Sequence, residues 1–119
     1  MNPRKLTFGP PLTVSNSPRK RREKQAAALN NLAILLLLRG DNDGAEILLN
    51  QALALSSPAS RLSGRCLNNL GVLAELRGDR PKAEELYAKA KNVFATSTNS
   101  SETEQRQVEK NLARLSNSR

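Results

Sequence analysis

Few residues in this sequence have the types and spacing that catalysis needs. Cys66 is the only cysteine and the chain has no histidine, so neither a histidine base nor a usual zinc site is available. Glu84 and Glu85 are adjacent, and neighbouring residues on a helix point about 100° apart, so their carboxylates do not converge on a substrate. The sequence therefore predicts a protein that is not an enzyme and that has no catalytic residues, metal or cofactor.

Asparagines at matching places are better candidates for binding. Asn30-Asn31 and Asn68-Asn69 each lie between two leucines, and Asn111 occurs in a similar run near the C-terminus. An amide both donates and accepts hydrogen bonds, so a row of asparagines can pair with the backbone of an extended peptide. We predict that Asn31, Asn69 and Asn111 form such a row. The alternative is that these amides bond to neighbouring loops or face water.

The asparagines belong to a segment that occurs twice. Moving 38 residues along the chain takes Leu-Asn-Asn-Leu at residues 29–32 to residues 67–70, and it takes Arg-Gly-Asp at residues 39–41 to residues 77–79. Self-similarity at a period of this length indicates a stacked array, in which each unit is a small element that cannot bury its apolar face alone.

Apolar residues three and four apart predict two helices in each unit, and a glycine suited to the left-handed C-cap ends the first. The predicted fold is all-α: a short array of two helical hairpins and a C-terminal capping helix, preceded by an extended basic N-terminal arm. Its divisions are the arm at 1–24 and the helical domain at 25–116, with repeat 1 at about 26–57, repeat 2 at about 59–94 and the capping helix at about 102–116. Gly71 replaces Ala33, which predicts a close approach by a neighbouring backbone, and Tyr87 replaces Leu49 in the core.

The repeated residues resemble the tetratricopeptide repeat (TPR), and the Leu-Asn-Asn-Leu opening is most similar to the longer repeats of the kinesin light chain type. The family's small residues would be Ala33, Ala45 and Ala52 in the first unit and Gly71, Ala83 and Ala90 in the second. Leu36 and Ala74 depart from the family pattern, where tyrosine is common. The resemblance implies a scaffold whose first helices line a groove that binds an extended peptide or a subunit of a larger assembly.

The residues predicted to contact a peptide in this groove are Asn30, Asn31, Ile34, Arg65, Asn68, Asn69, Val72, Lys110, Asn111 and Arg114. The basic members favour an acidic protein or peptide as the partner, and the apolar members favour an apolar or aromatic anchor on it.

The net charge of +8 is concentrated in residues 1–24, which hold seven basic residues and one acidic residue. Arg19, Lys20, Arg21 and Arg22 form a cluster suited to phosphate contact or nuclear import. Nucleic-acid or ribonucleoprotein binding through this basic arm is therefore the alternative function. The prolines of the arm argue against a helix, which we expect to start at about Glu23.

No apolar run is long enough to cross a bilayer. The sequence favours a cytoplasmic or nuclear location. Import into mitochondria is the alternative, because the arm is basic and poor in acidic residues, although its prolines oppose the amphipathic helix of such signals. Ser17 and Pro18 have the form of a proline-directed phosphorylation site.

The apolar run at residues 34–38 covers every side of its helix, so part of it needs a cover. We predict that Ile34 or Leu37 is covered by the arm, through residues 6–8 or 12–14, or by another chain. Two and a half units are also few for a repeat array. The isolated chain is therefore expected to be marginally stable and to gain stability from self-association or from a partner.

Overall fold

The computed structural model describes residues 17–97 and 102–117, which form helices and, within those ranges, no strand. The helices are α1 (Pro18–Leu38), α2 (Asn42–Leu55), α3 (Arg61–Leu76), α4 (Arg80–Thr96) and α5 (Glu102–Asn117). The prediction of an all-α fold is confirmed for these residues. Most of the predicted arm lies outside them, and so do the segments 6–8 and 12–14 that were predicted to cover the first helix.

Both hairpin turns are built around a glycine. Gly40 and Gly78 have φ angles of 84° and 80°, in the left-handed region that glycine adopts without strain. The N–H of Asp41 donates to the carbonyl of Leu36 at 2.8 Å, a hydrogen bond that closes the end of α1. Asp41 then caps α2, because its carboxylate accepts from the N–H of Gly44 at 3.0 Å.

The first helix begins at Pro18, so the prediction that it starts near Glu23 was wrong. Ser17 is the N-cap, and its hydroxyl accepts a hydrogen bond from the N–H of Lys20 at 3.2 Å. Pro18 lies in the first turn, where a missing N–H removes no helical hydrogen bond. The prediction took this proline as evidence against a helix, although proline is favourable at this one position. The basic cluster at residues 19–22 is therefore helical.

The small residues of both units let the helices pack closely. α2 contacts both α1 and α3, and α4 contacts both α3 and α5. The six predicted small positions are all buried: Ala33, Ala45, Ala52, Gly71, Ala83 and Ala90. Leu49 and Tyr87 are also fully buried. We call the core cluster around Leu49 the first core cluster and the one around Tyr87 the second core cluster. Tyr87 thus has the core role that was predicted for it.

α5 packs against α4, in the place where the sequence predicts half of a third unit. Val108 and Leu115 are buried in the second core cluster, and Leu112 packs at its edge. Ala113 is exposed although it corresponds to the buried Gly71, because no further helix among the described residues covers that side of α5. The exposed polar side suits an end cap.

The apolar run near the end of α1 is only partly covered. Leu36 and Leu37 pack against the first core cluster, so Leu37 is not the residue that lacks a cover. Leu32, Leu35 and Leu38 are instead the exposed leucines of this helix. In the part of the chain that the structure describes, no helix is long and apolar enough to cross a membrane.

Candidate functional site

The asparagines pair between neighbouring units. Nδ2 of Asn69 donates to Oδ1 of Asn30 at 2.9 Å, and Nδ2 of Asn111 donates to Oδ1 of Asn68 at 3.0 Å. In both cases the second asparagine position of one unit bonds to the first asparagine position of the unit before it. The predicted row of Asn31, Asn69 and Asn111 is therefore a ladder of pairs, from which Asn31 is left out and exposed.

The two pairs differ in how completely they are satisfied. Asn111 is buried, and its Oδ1 accepts from Arg114 at 3.0 Å and from Gln107 at 3.2 Å. Asn30 is only 4% exposed, yet among the described residues no group accepts a hydrogen bond from its Nδ2. A buried amide N–H without an acceptor is unfavourable by about 1–3 kcal/mol, so it is a strong donor for a ligand.

Asn30 lies in the wall of a cavity of about 240 Å³, which we call the asparagine cavity. It is lined by six of the predicted contact residues: Asn30, Asn31, Ile34, Arg65, Asn68 and Asn69. Typical pockets for small molecules and cofactors start at about 300 Å³, so this cavity suits a single side chain and a stretch of backbone.

Three further lining residues were missed by sequence reasoning: Phe94, Glu104 and Gln107. Glu104 pairs with Arg61 at 2.8 Å and also with Arg65. The spacing from Arg61 to Glu104 equals that from Asn68 to Asn111. The sequence pattern relates Asn111 to Asn69 instead, so it gave no signal for this contact. Arg65 is therefore already paired, and an acidic ligand would compete with Glu104 for it.

The other predicted contact residues are not in the cavity. Val72 packs against the second core cluster, Lys110 is exposed on α5, and Asn111 is held in its pair. Arg114 bonds to Glu75, with distances of 3.1 Å from Nε to Oε2 and 2.6 Å from Nη2 to Oε1. The cavity thus brings together the predicted contact residues of α1 and α3 other than Val72, and those of α5 lie outside it.

Glu75, Arg114 and Tyr87 form a polar cluster that fastens α5 to the second hairpin. The hydroxyl of Tyr87 donates to Oε1 of Glu75 at 2.8 Å. The hydrogen bonds from Arg114 hold the pKa of Glu75 below its usual value. Burial, and then the hydrogen bond to Glu75, raise the pKa of Tyr87. The glutamate is therefore ionised and the tyrosine neutral around neutral pH.

Cys66 is a buried residue of α3 that packs with Ala26 of α1 and Ala52 of α2. Burial raises the pKa of its thiol to about 11, so it has little thiolate character, which is the form that reacts. No group of side chains able to hold a metal ion occurs in residues 17–97 and 102–117.

A helical hairpin that occurs twice, followed by one further helix, is the architecture of a helical-repeat scaffold. A family model described as tetratricopeptide repeat matches residues 24–96, which is more than half of the chain. The chain therefore belongs to the tetratricopeptide repeat family, whose repeats are generally protein-interaction modules and typically not enzymes. A search of curated proteins found no match to it.

Proposed function

We propose that the chain is a protein-interaction module that binds an extended peptide, or an extended segment of a subunit in a larger assembly, across the asparagine cavity. The buried amide of Asn30 carries this proposal, because Asn30 lines the cavity and its Nδ2 has no acceptor among the described residues. A peptide carbonyl would satisfy it. Asn31 and Asn68 lie beside it and add contacts that do not depend on the peptide's sequence.

The cavity walls also favour a particular peptide. Ile34 and Phe94 provide apolar surface for one aliphatic or aromatic anchor. Arg61 and Arg65 lie together on α3 and favour an acidic residue next to that anchor, in exchange for their bonds to Glu104. Two or three hydrogen bonds contribute about 0.5–1.5 kcal/mol each, whereas micromolar binding needs about 8 kcal/mol. The anchor and the charges must therefore supply most of the affinity.

The test starts with a phage library of 12-residue peptides selected on the full chain, and the affinity of a selected peptide is measured by fluorescence anisotropy. Asn31→Ala combined with Ile34→Ala should weaken binding at least tenfold. The matched control is Asn50→Ala combined with Ile47→Ala, because these two exposed residues of α2 do not line the cavity. The control should bind like the wild type. Equal losses in both variants would move the binding surface away from the cavity.

Nucleic-acid binding is the alternative proposal. Arg19, Lys20, Arg21 and Arg22 are all exposed on the first turns of α1, where they could contact phosphates. Such binding would weaken steeply with salt, because each neutralised phosphate releases counterions. Binding of a single-stranded RNA that falls by less than tenfold between 50 and 200 mM salt would argue against it. We also propose that the repeats are of the kinesin light chain type and that the protein is located in the cytoplasm or the nucleus.

A further inference from the structure

The first helix carries an apolar face that nothing among the described residues covers. Ala28, Leu32 and Leu35, four and three residues apart, lie on one side of α1 and are all exposed. We call them the α1 outer face. By repeat position they correspond to Cys66, Leu70 and Leu73 in α3 and to Val108, Leu112 and Leu115 in α5.

In α3 and α5 the same face is buried, except for Leu112, which is partly buried. Leu32 is 47% exposed whereas Leu70 is 8% exposed, and Leu35 is 56% exposed whereas Leu73 is 2% exposed. The leucine at the end of the helix behaves differently, because Leu38 and its counterpart Leu76 are both exposed. The exposure of the α1 outer face therefore reflects a missing neighbour and not a property of the position in the repeat.

The structure shows twice what covers this face. The second helix of the preceding unit lies over it, α2 on α3 and α4 on α5. The covering residues are Ala45, Leu49 and Ala52 in α2 and Ala83, Tyr87 and Ala90 in α4. Both helices thus present a small, a large and a small residue at positions i, i+4 and i+7. Ala45 and Leu49 cluster with Leu70 and Leu73, whereas Ala52 clusters with Cys66, so the covering helix runs antiparallel.

Charge further restricts what could bind. Where α2 covers α3, Leu55 and Leu62 both pack against the buried cluster of Ala26, Ala52 and Cys66. On α1 the counterpart of Leu62 is Lys24, which is exposed one turn before Ala28 on the outer face. A helix lying on α1 would bring its counterpart of Leu55 close to this ammonium group, so an acidic residue is favoured there.

We propose that the α1 outer face binds a helix of a separate protein, antiparallel to α1, with a small-large-small pattern followed three residues later by Asp or Glu. A second copy of this chain does not present the pattern on a free helix, because its α2 and α4 are already covered by α3 and α5. Its own α1 outer face has a small residue followed by two large ones. Residues 1–16 do not supply it either, since they contain three prolines and no acidic residue. This surface is distinct from the asparagine cavity.

The probe is a fluorescent, hydrocarbon-stapled peptide with the sequence of residues 42–55 and Leu55→Glu, so that it has the proposed pattern. Its partner peptide differs only in carrying Leu55→Lys. Fluorescence anisotropy on the full chain should show the Glu peptide binding at least tenfold more tightly than the Lys peptide. Leu35→Glu in the protein should weaken the Glu peptide at least tenfold, and Leu32→Glu should do the same. Both leucines are about half exposed, so circular dichroism should show unchanged helicity.

The matched control is Leu76→Glu, an exposed leucine at the end of α3 that is not on the α1 outer face. It should leave peptide binding unchanged. Equal affinity for the two peptides, or no effect of Leu35→Glu, would overturn the proposal. If the Glu peptide binds only after residues 1–16 are deleted, the arm and not a separate protein occupies the α1 outer face. If analytical ultracentrifugation shows a dimer that Leu35→Glu dissociates, a second copy of the chain occupies the α1 outer face.

Discussion

The ring of Tyr87 lies directly against Gly71, so that a Cβ on Gly71 would come within 2.5 Å of Cε1 of Tyr87. The close neighbour of this glycine is therefore a side chain and not the backbone that the sequence suggested. In the first unit the same two positions hold Ala33 and Leu49, which pack in one cluster. Each unit thus packs one small residue against one large residue. Gly71 is smaller than Ala33, and Tyr87 is larger than Leu49.

This match predicts that the effect of Gly71→Ala changes sign with the residue at position 87. Alanine favours a helix over glycine by about 1 kcal/mol, whereas an overpacked core loses about 1–3 kcal/mol. In the wild-type chain we therefore expect Gly71→Ala to lower the free energy of unfolding. In a Tyr87→Leu chain the clash is gone, and the same change should raise stability by up to about 1 kcal/mol. Urea unfolding of the four chains measures both effects, and destabilisation in both backgrounds would contradict the matching.

The hairpins could be predicted because their signals are local. The signals are a glycine that needs positive φ, an aspartate that caps the next helix, and small residues at fixed spacing. Each signal acts within a few residues. Finding the same signals twice, one period apart, therefore places both hairpins. The start of α1 was missed for a local reason too, because Pro18 was taken as a helix breaker when it lies in the first turn.

The candidate site could be predicted only in part. The period shows that Asn30 and Asn68 are equivalent, but it does not show how α1 and α3 are rotated relative to each other. That rotation makes Asn69 bond to Asn30 and leaves Asn31 exposed. Glu104 comes from α5, beyond a connection that lengthens the offset, so its approach to the arginines of α3 could not be read from the 38-residue period.

The glutamate of the polar cluster should make stability depend on acid pH. The pKa of Glu75 is lower in the folded chain than in an unfolded one. Its contribution is therefore fully present above the unfolded pKa of about 4.3 and is lost as the pH falls through the folded pKa. Glu75→Gln should reduce the loss of stability between pH 6 and pH 3 in urea unfolding. Glu85→Gln, at an exposed carboxylate 3.6 Å from Lys89, is the control and should behave like the wild type.

The buried cysteine should report opening of the core. With a pKa of about 11, only about one thiol in a thousand is ionised at pH 8, against roughly a quarter for an ordinary cysteine with a pKa of about 8.5. Cys66 is also inaccessible in the folded chain. We expect its reaction with a thiol reagent to be at least a hundredfold slower in buffer than in 8 M urea. Similar rates in the two conditions would show that α2 and α3 do not stay packed.

The asparagine ladder separates residues that hold the fold from residues available to a ligand. Asn111 is buried, donates to Asn68 and accepts from Arg114. Asn111→Ala removes these two part-buried hydrogen bonds, which contribute about 0.5–1.5 kcal/mol each, and should lower the free energy of unfolding by about 1–3 kcal/mol. Asn31 is exposed at the cavity, and Asn31→Ala should change stability by no more than about 0.5 kcal/mol. Urea unfolding checks both. A loss for Asn31→Ala as large as that for Asn111→Ala would assign Asn31 to the fold and remove it from the candidate binding surface.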